Sequence, residues 1–169
     1  KAPAWTIPFS LTFIERAQAP RKTIVFGTLS DRPGGWTSVR YRDLARKALR
    51  VADRVVFVGP NAGFIDKVRD EAGEARLYSF LTAYQGFTFL SRESIADELI
   101  LIKASISDHL ERLMLGHFDR VVCWRQKCGK HANCHQCRRY DTPHAPPFGI
   151  AEMTALQQRS VIECAGAEP

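Results

Sequence analysis

Three short runs of β-branched and aromatic residues, Lys22 to Phe26 (KTIVF), Arg54 to Val58 (RVVFV) and Leu99 to Ile102 (LILI), each give way to a polar turn and then to a helical pattern. Apolar runs this short, with no polar alternation, are the pattern of strands covered on both faces, and strands alternating with helices require a mainly parallel, doubly wound α/β sheet. Right-handed crossovers are expected between them.

The third run is the most informative. Lys103 ends it, and Ser105 and Asp108 follow with the S/T-x-x-D/E spacing of a helix cap. Leu110, Leu113 and Met114 then recur on one face of an expected helix. A strand end, a lysine and free helical amides in one place form an anion-binding arrangement, and open α/β sheets take ligands at their strand carboxyl ends. The competing reading is a solvated lysine beside a simple cap.

The rest of the chain fits around this core. Residues 6 to 17 read as a first helix, with Thr6 as cap, Pro8 in the first turn and Ile7, Leu11 and Ile14 on one face. Thr37 or Ser38 caps a second helix with Tyr41, Ala45, Ala48, Leu49 and Ala52 on its apolar face. A short helix runs through Asp70, Leu77 to Phe80 makes a further strand, and Tyr84, Phe87 and Phe89 lie on a helix as core aromatics. Phe118 to Trp124 (FDRVVCW) reads as a closing strand, and 140 to 169 as a Pro-rich connector, a short helix near 150 to 159 and a frayed end. The chain thus divides into 1 to 122, a cysteine-rich 123 to 140 and a tail from 141. It starts at Lys1 and runs at once into Pro3, Trp5 and Pro8, so a longer protein is expected around it.

Three strand-end loops carry candidate binding residues. Ser30 and Asp31 follow the first strand, Asn61 the second, and Lys103 and Ser105 the last. Asp31 suits a cation or hydroxyls, Asn61 a base or amide, and Lys103 a phosphate or carboxylate. Neighbouring strands would bring all three loops to one crevice. There is no GxGxxG, no GxxxxGK[ST] and no G-x-S-x-G, so the chain has no dinucleotide fingerprint, triphosphate cradle or nucleophile elbow of its own.

The order of TIVFGTLSD, a helix, DRVVFVGPNA and then ELILIKASISDHLERL resembles the C-terminal domain of Mur-type ligases, particularly the branch that adds the terminal dipeptide of peptidoglycan precursors. The resemblance covers about residues 1 to 122. It implies a Rossmann-like α/β domain that closes over an active site built by an upstream ATPase domain, where ATP and Mg²⁺ support amide-bond formation through an acyl phosphate. It also implies that Lys103 and Ser105 match a Lys-Gly-Ser segment contacting a small-molecule or UDP-linked peptide substrate or the nucleotide, and that the loop from Gly27 to Asp31 faces the same cleft. Ala104 stands where that segment has glycine. Such a domain would be inactive alone and would work in the cytoplasm. The N-terminus carries no signal-peptide pattern, and no apolar run approaches a membrane span.

The net charge of +6 is concentrated between positions 120 and 139, where Arg120, Arg125, Lys127, Lys130, Arg138 and Arg139 occur without an acidic residue. That concentration argues against a nucleic-acid coat over the whole surface and for one local feature. The same segment holds Cys123, Cys128, Cys134 and Cys137, spaced C-x4-C-x5-C-x2-C. Four thiolates on one tetrahedral Zn²⁺ carry a net charge of minus two, which the cations would compensate, and the site would be structural. His131 or His135 can replace one thiolate; free thiols and disulfides are the competing readings. A second function also fits the segment: a nucleic-acid-binding zinc module with Trp124 and Tyr140 as stacking platforms.

Overall fold

A computed structural model describes residues 4 to 29, 37 to 72, 76 to 126, 128 to 129 and 132 to 137. Four strands, β1 (Lys22–Phe26), β2 (Arg54–Val58), β3 (Leu77–Phe80) and β4 (Leu99–Lys103), form one parallel sheet in the order β3-β2-β1-β4. The helices are α1 (Ile7–Arg16), α2 (Thr37–Ala48), α3 (Asp66–Ala72), α4 (Ala83–Glu93) and α5 (Glu111–Leu115). Both the mixed α/β class and the parallel sheet match the sequence expectation.

Strict alternation divides the core. Ile24, Phe26, Val55, Phe57, Leu77, Leu99 and Leu101 pack with Ile14, Tyr41, Leu44, Ala45 and Ala48 of α1 and α2 on one face. Val25, Val56, Val58, Tyr78, Phe80, Ile100 and Ile102 pack with Ala83, Leu90, Leu110 and Leu113 on the other. Helices on both faces explain why β1 and β2 read as unbroken apolar runs. β4 contacts both layers too, but it is an edge strand of the described sheet, as β3 is, and its residues are only half-buried.

At the amino edge of the sheet, Glu98 is the hub of a buried polar network. Its side chain is 1% exposed and accepts from Arg21 and Arg54, each at 2.6 Å, and from the Thr23 hydroxyl. Burial pushes this carboxyl up, but the bonds from Arg21, Thr23 and the Ile95 amide outweigh it and hold Glu98 below the usual carboxylate range.

Two expectations are corrected. Residues 118 to 124 form no strand: Val121, Val122 and Trp124 lie half-buried in irregular backbone, with Trp124 packed against the α4 side of the core. A four-residue apolar stretch fits a packed coil as well as a strand, and only the ladder distinguishes them. The helix expected from Ser105 is broken into a 3-10 turn (Ile106–Asp108), a left-handed His109 and the five-residue α5. The break turns Met114 away from its expected apolar face, and it is 51% exposed while Leu110 and Leu113 are buried. Residues 138 to 169, with the expected connector and helix, lie outside the described residues.

Candidate functional site

Because β2, β1 and β4 are adjacent and parallel, the loops after all three emerge along one edge. They touch. The Thr28 amide donates to Asp108 Oδ2 at 2.7 Å, joining the β1 and β4 loops, and a Cβ at Gly59 would stand 3.9 Å from Thr28 Oγ1. Gly59 takes φ +120, a conformation that favours glycine. Gly27 has a different reason to be glycine: a Cβ there would lie 2.6 Å from Asp108 Oδ2 and 2.7 Å from the Ala104 Cβ, while its amide donates to the Lys103 carbonyl at 3.0 Å. β1 and β4 therefore stay close past their last pair, Phe26 with Lys103.

Lys103 is the last residue of β4 and shares a strand face with Leu99 and Leu101; its side chain is half-buried. Ser105 begins the loop, and its amide donates to Asp108 Oδ2 at 3.0 Å. The amides of Thr28 and Ser105 are thus taken by the loop's own carboxylate, and α5 opens on Glu111. This leaves Lys103 as the cation of the loop, without the helix-end amides the sequence led us to expect. Ala104 is not among the described residues with positive φ, so alanine causes no backbone strain there. Asn61 is half-buried, with its carbonyl accepting from the Phe64 amide at 3.1 Å. Ser30 and Asp31 lie outside the described residues.

Immediately beyond Asp108 lies a second constellation. His109, 2% exposed, holds φ 52 and ψ 38. Its Nδ1 stands 3.4 Å from Glu111 Oε1, and its Nε2 3.0 Å from Cys128 Sγ. Glu111 Oε1 also accepts from the Cys134 amide at 2.9 Å. Ligand atoms of His109, Glu111 and Cys134 all lie within 4.8 Å of one another. Burial first, and the Glu111 carboxylate next, push the Cys134 thiol up to about 12; Arg112 pulls it down and Cys123 adds to the rise. Cys123, Cys128 and Cys137 are half-buried and free of disulfides.

Arg112 fastens this region to the domain. It is 1% exposed, and its guanidinium donates to the carbonyls of His109 (2.9 Å), Cys123 (2.7 Å) and Arg125 (2.8 Å). It lies over the Trp124 ring, which stacks on Phe87 at 4.9 Å and meets Tyr84 edge-on at 5.5 Å. Trp124 is therefore engaged within the core; Tyr140, the other expected stacking platform, is outside the described residues. The sequence reading missed His109, Glu111 and Arg112. An H-x-E pair fourteen residues before the first cysteine was its only trace.

A search of solved structures finds the ligase titled UDP-N-acetylmuramoylalanyl-D-glutamyl-2,6-diaminopimelate--D-alanyl-D-alanyl ligase from Acinetobacter baumannii, with a TM-score of 0.55 at 20% identity. The fold is Mur-ligase-like. The match covers 69% of this chain and 24% of that enzyme, so the chain spans about a quarter of its length. No family model matches the sequence, and neither does any curated protein. Among the described residues, no helix is long and apolar enough to cross a membrane.

Proposed function

We propose that this chain is the substrate-closing, C-terminal domain of an ATP-dependent amide-bond ligase acting on cell-wall-type peptide precursors in the cytoplasm. The carrying observation is the meeting of the three strand-end loops at one sheet edge, with Lys103 closing β4, in a fold shared with a D-alanyl-D-alanyl-adding ligase. In this reading the Lys103 ammonium holds an anionic group of the incoming peptide or nucleotide, and Asn61 orients an amide beside it. Ser105 shapes the turn through its amide, and Ser30 and Asp31, which follow β1 in the sequence, are assigned to the same substrate by their hydroxyl and carboxylate chemistry.

The chain's own residues offer ATP no triphosphate cradle, so ATP and Mg²⁺ are assigned to an upstream ATPase domain. The acyl phosphate would form there, and this domain would present the amine to it. The nucleic-acid reading is less well supported, since Trp124 is committed to Phe87, Tyr84 and Arg112. The test is steady-state kinetics of the full-length protein: ATP-dependent phosphate release should require both a carboxylate-terminated peptide precursor and a dipeptide amine. Phosphate release indifferent to both, or tight binding of a single-stranded oligonucleotide, would reject the reading.

A further inference from the structure

The buried imidazole of His109 has each nitrogen facing a different chemistry. Nδ1 meets the Glu111 carboxylate and Nε2 the Cys128 sulfur. A histidine that ligates a metal through one nitrogen characteristically turns its other N–H to a carboxylate, which fixes the tautomer and the ring plane. Glu111 is itself held, through the Cys134 amide, against the backbone that carries a second thiol.

Sulfur and nitrogen bound to one tetrahedral zinc at about 2.3 and 2.0 Å stand roughly 3.5 Å apart. Cys128 Sγ and His109 Nε2 stand 3.0 Å apart, so seating an ion between them asks for an opening of about 0.5 Å. Cys134 Sγ, the Glu111 carboxylate and one nitrogen of the same ring lie within 4.8 Å of one another, a group that does not include Cys128, so a shared ion requires the Cys128 and Cys134 thiolates to draw together around the imidazole. The left-handed backbone of His109 is strained for a non-glycine residue, and the Arg112 bond to its carbonyl helps hold it.

We propose that His109 Nε2 is a ligand of a structural zinc ion together with three thiolates of the cysteine-rich segment, Cys128 and Cys134 among them, and that Glu111 is the positioning residue that orients the ring. The third thiolate comes from Cys123, whose carbonyl Arg112 grips, or from Cys137, whose amide closes a 3-10 turn onto the Cys134 carbonyl at 3.0 Å. The set differs from the four-cysteine site the spacing suggests. It has one nitrogen, and that nitrogen comes from the β4–α5 loop instead of from the segment. Three thiolates on Zn²⁺ leave one negative charge beside the buried Arg112 guanidinium, which compensates it. Nitrogen and soft sulfur donors in a closed shell suit zinc, with no open position for substrate.

The test begins with the unmutated chain, purified reduced and loaded with zinc. X-ray absorption at the zinc edge should give one metal per chain with three sulfurs near about 2.3 Å and one nitrogen near about 2.0 Å. A shell of four sulfurs, or no stoichiometric zinc, overturns the proposal without any variant. Competition with a chromophoric chelator should show Glu111→Gln binding zinc about 10- to 100-fold more weakly, the range for loss of an orienting partner. His109→Cys should restore tight binding with an all-sulfur shell, whereas His109→Ala should not. Zinc affinity unchanged in His109→Ala would refute the assignment.

Discussion

At the scale of single residues, Lys103, Gly27 and Glu98 separate binding from architecture. If Lys103 holds an anionic group, Lys103→Ala in the full-length protein should lower kcat/KM at least tenfold, about 1.4 kcal/mol, without moving the melting temperature. Unaltered kinetics would return it to the solvated surface. Gly27→Ala drives a methyl into Asp108 Oδ2 and Ala104, neither of which is a loose side-chain end. It should cost about 1 to 3 kcal/mol in denaturant unfolding. Glu98 gives a pH signature. Its folded pKa lies below the unfolded value near 4.5, so its contribution is fully present above that value and is lost as pH falls through the folded one. Thermal unfolding should therefore lose stability below about pH 4.5. Glu98→Gln should flatten that acid limb and cost about 3 to 5 kcal/mol at neutral pH, because the Arg54 guanidinium is left buried without its counter-charge. A variant with the parent's acid limb would show that another carboxylate governs it.

At the scale of elements, the strands were legible wherever a ladder partner was available to realise the pattern. KTIVF and RVVFV became strands over the expected residues, because β-branched runs with turns at both ends have few other ways to be covered. VVCW carries a similar local signal, yet it packs as coil. Its partners are Phe87, Tyr84 and Arg112, chosen by tertiary contact and invisible to periodicity. The β4–α5 connection shows the same limit. Ser105 and Asp108 do form a capped turn as their spacing implies, but His109 then leaves the helical region, and no sequence rule for helices foresees that. The edge position of Lys103 was therefore readable, whereas the pairing of His109 with Glu111 and the cysteines was not. At this scale zinc removal should act locally. Chelation should speed amide exchange in residues 123 to 137 and in the turn before His109, while β1 and β2 keep their protection. Loss of protection across the whole sheet would mean that the metal holds up the domain itself.

At the scale of the whole molecule, the parallel sheet buries β2 throughout and β1 beyond Lys22, leaving the candidate binding edge to loops, in a fold similar to about a quarter of a solved ligase. A chain so built should fold around its sheet without nucleotide, and calorimetry should find no micromolar affinity for ATP. Micromolar binding would place a nucleotide site on this chain and refute the assignment of ATP to an upstream domain. The bridge from Asp108 to the Thr28 amide has a kinetic consequence. It joins residues 80 positions apart, as does the Arg21 to Glu98 pair across 77, so both wait for β4 to return beside β1 after β2 and β3 have been threaded. Closing so long a segment is entropically slower than zipping the nearer β1–β2 pair, and the loop edge is then among the last parts of the chain to assemble during refolding. Substitutions at Asp108 should accordingly accelerate unfolding and leave the refolding rate almost untouched.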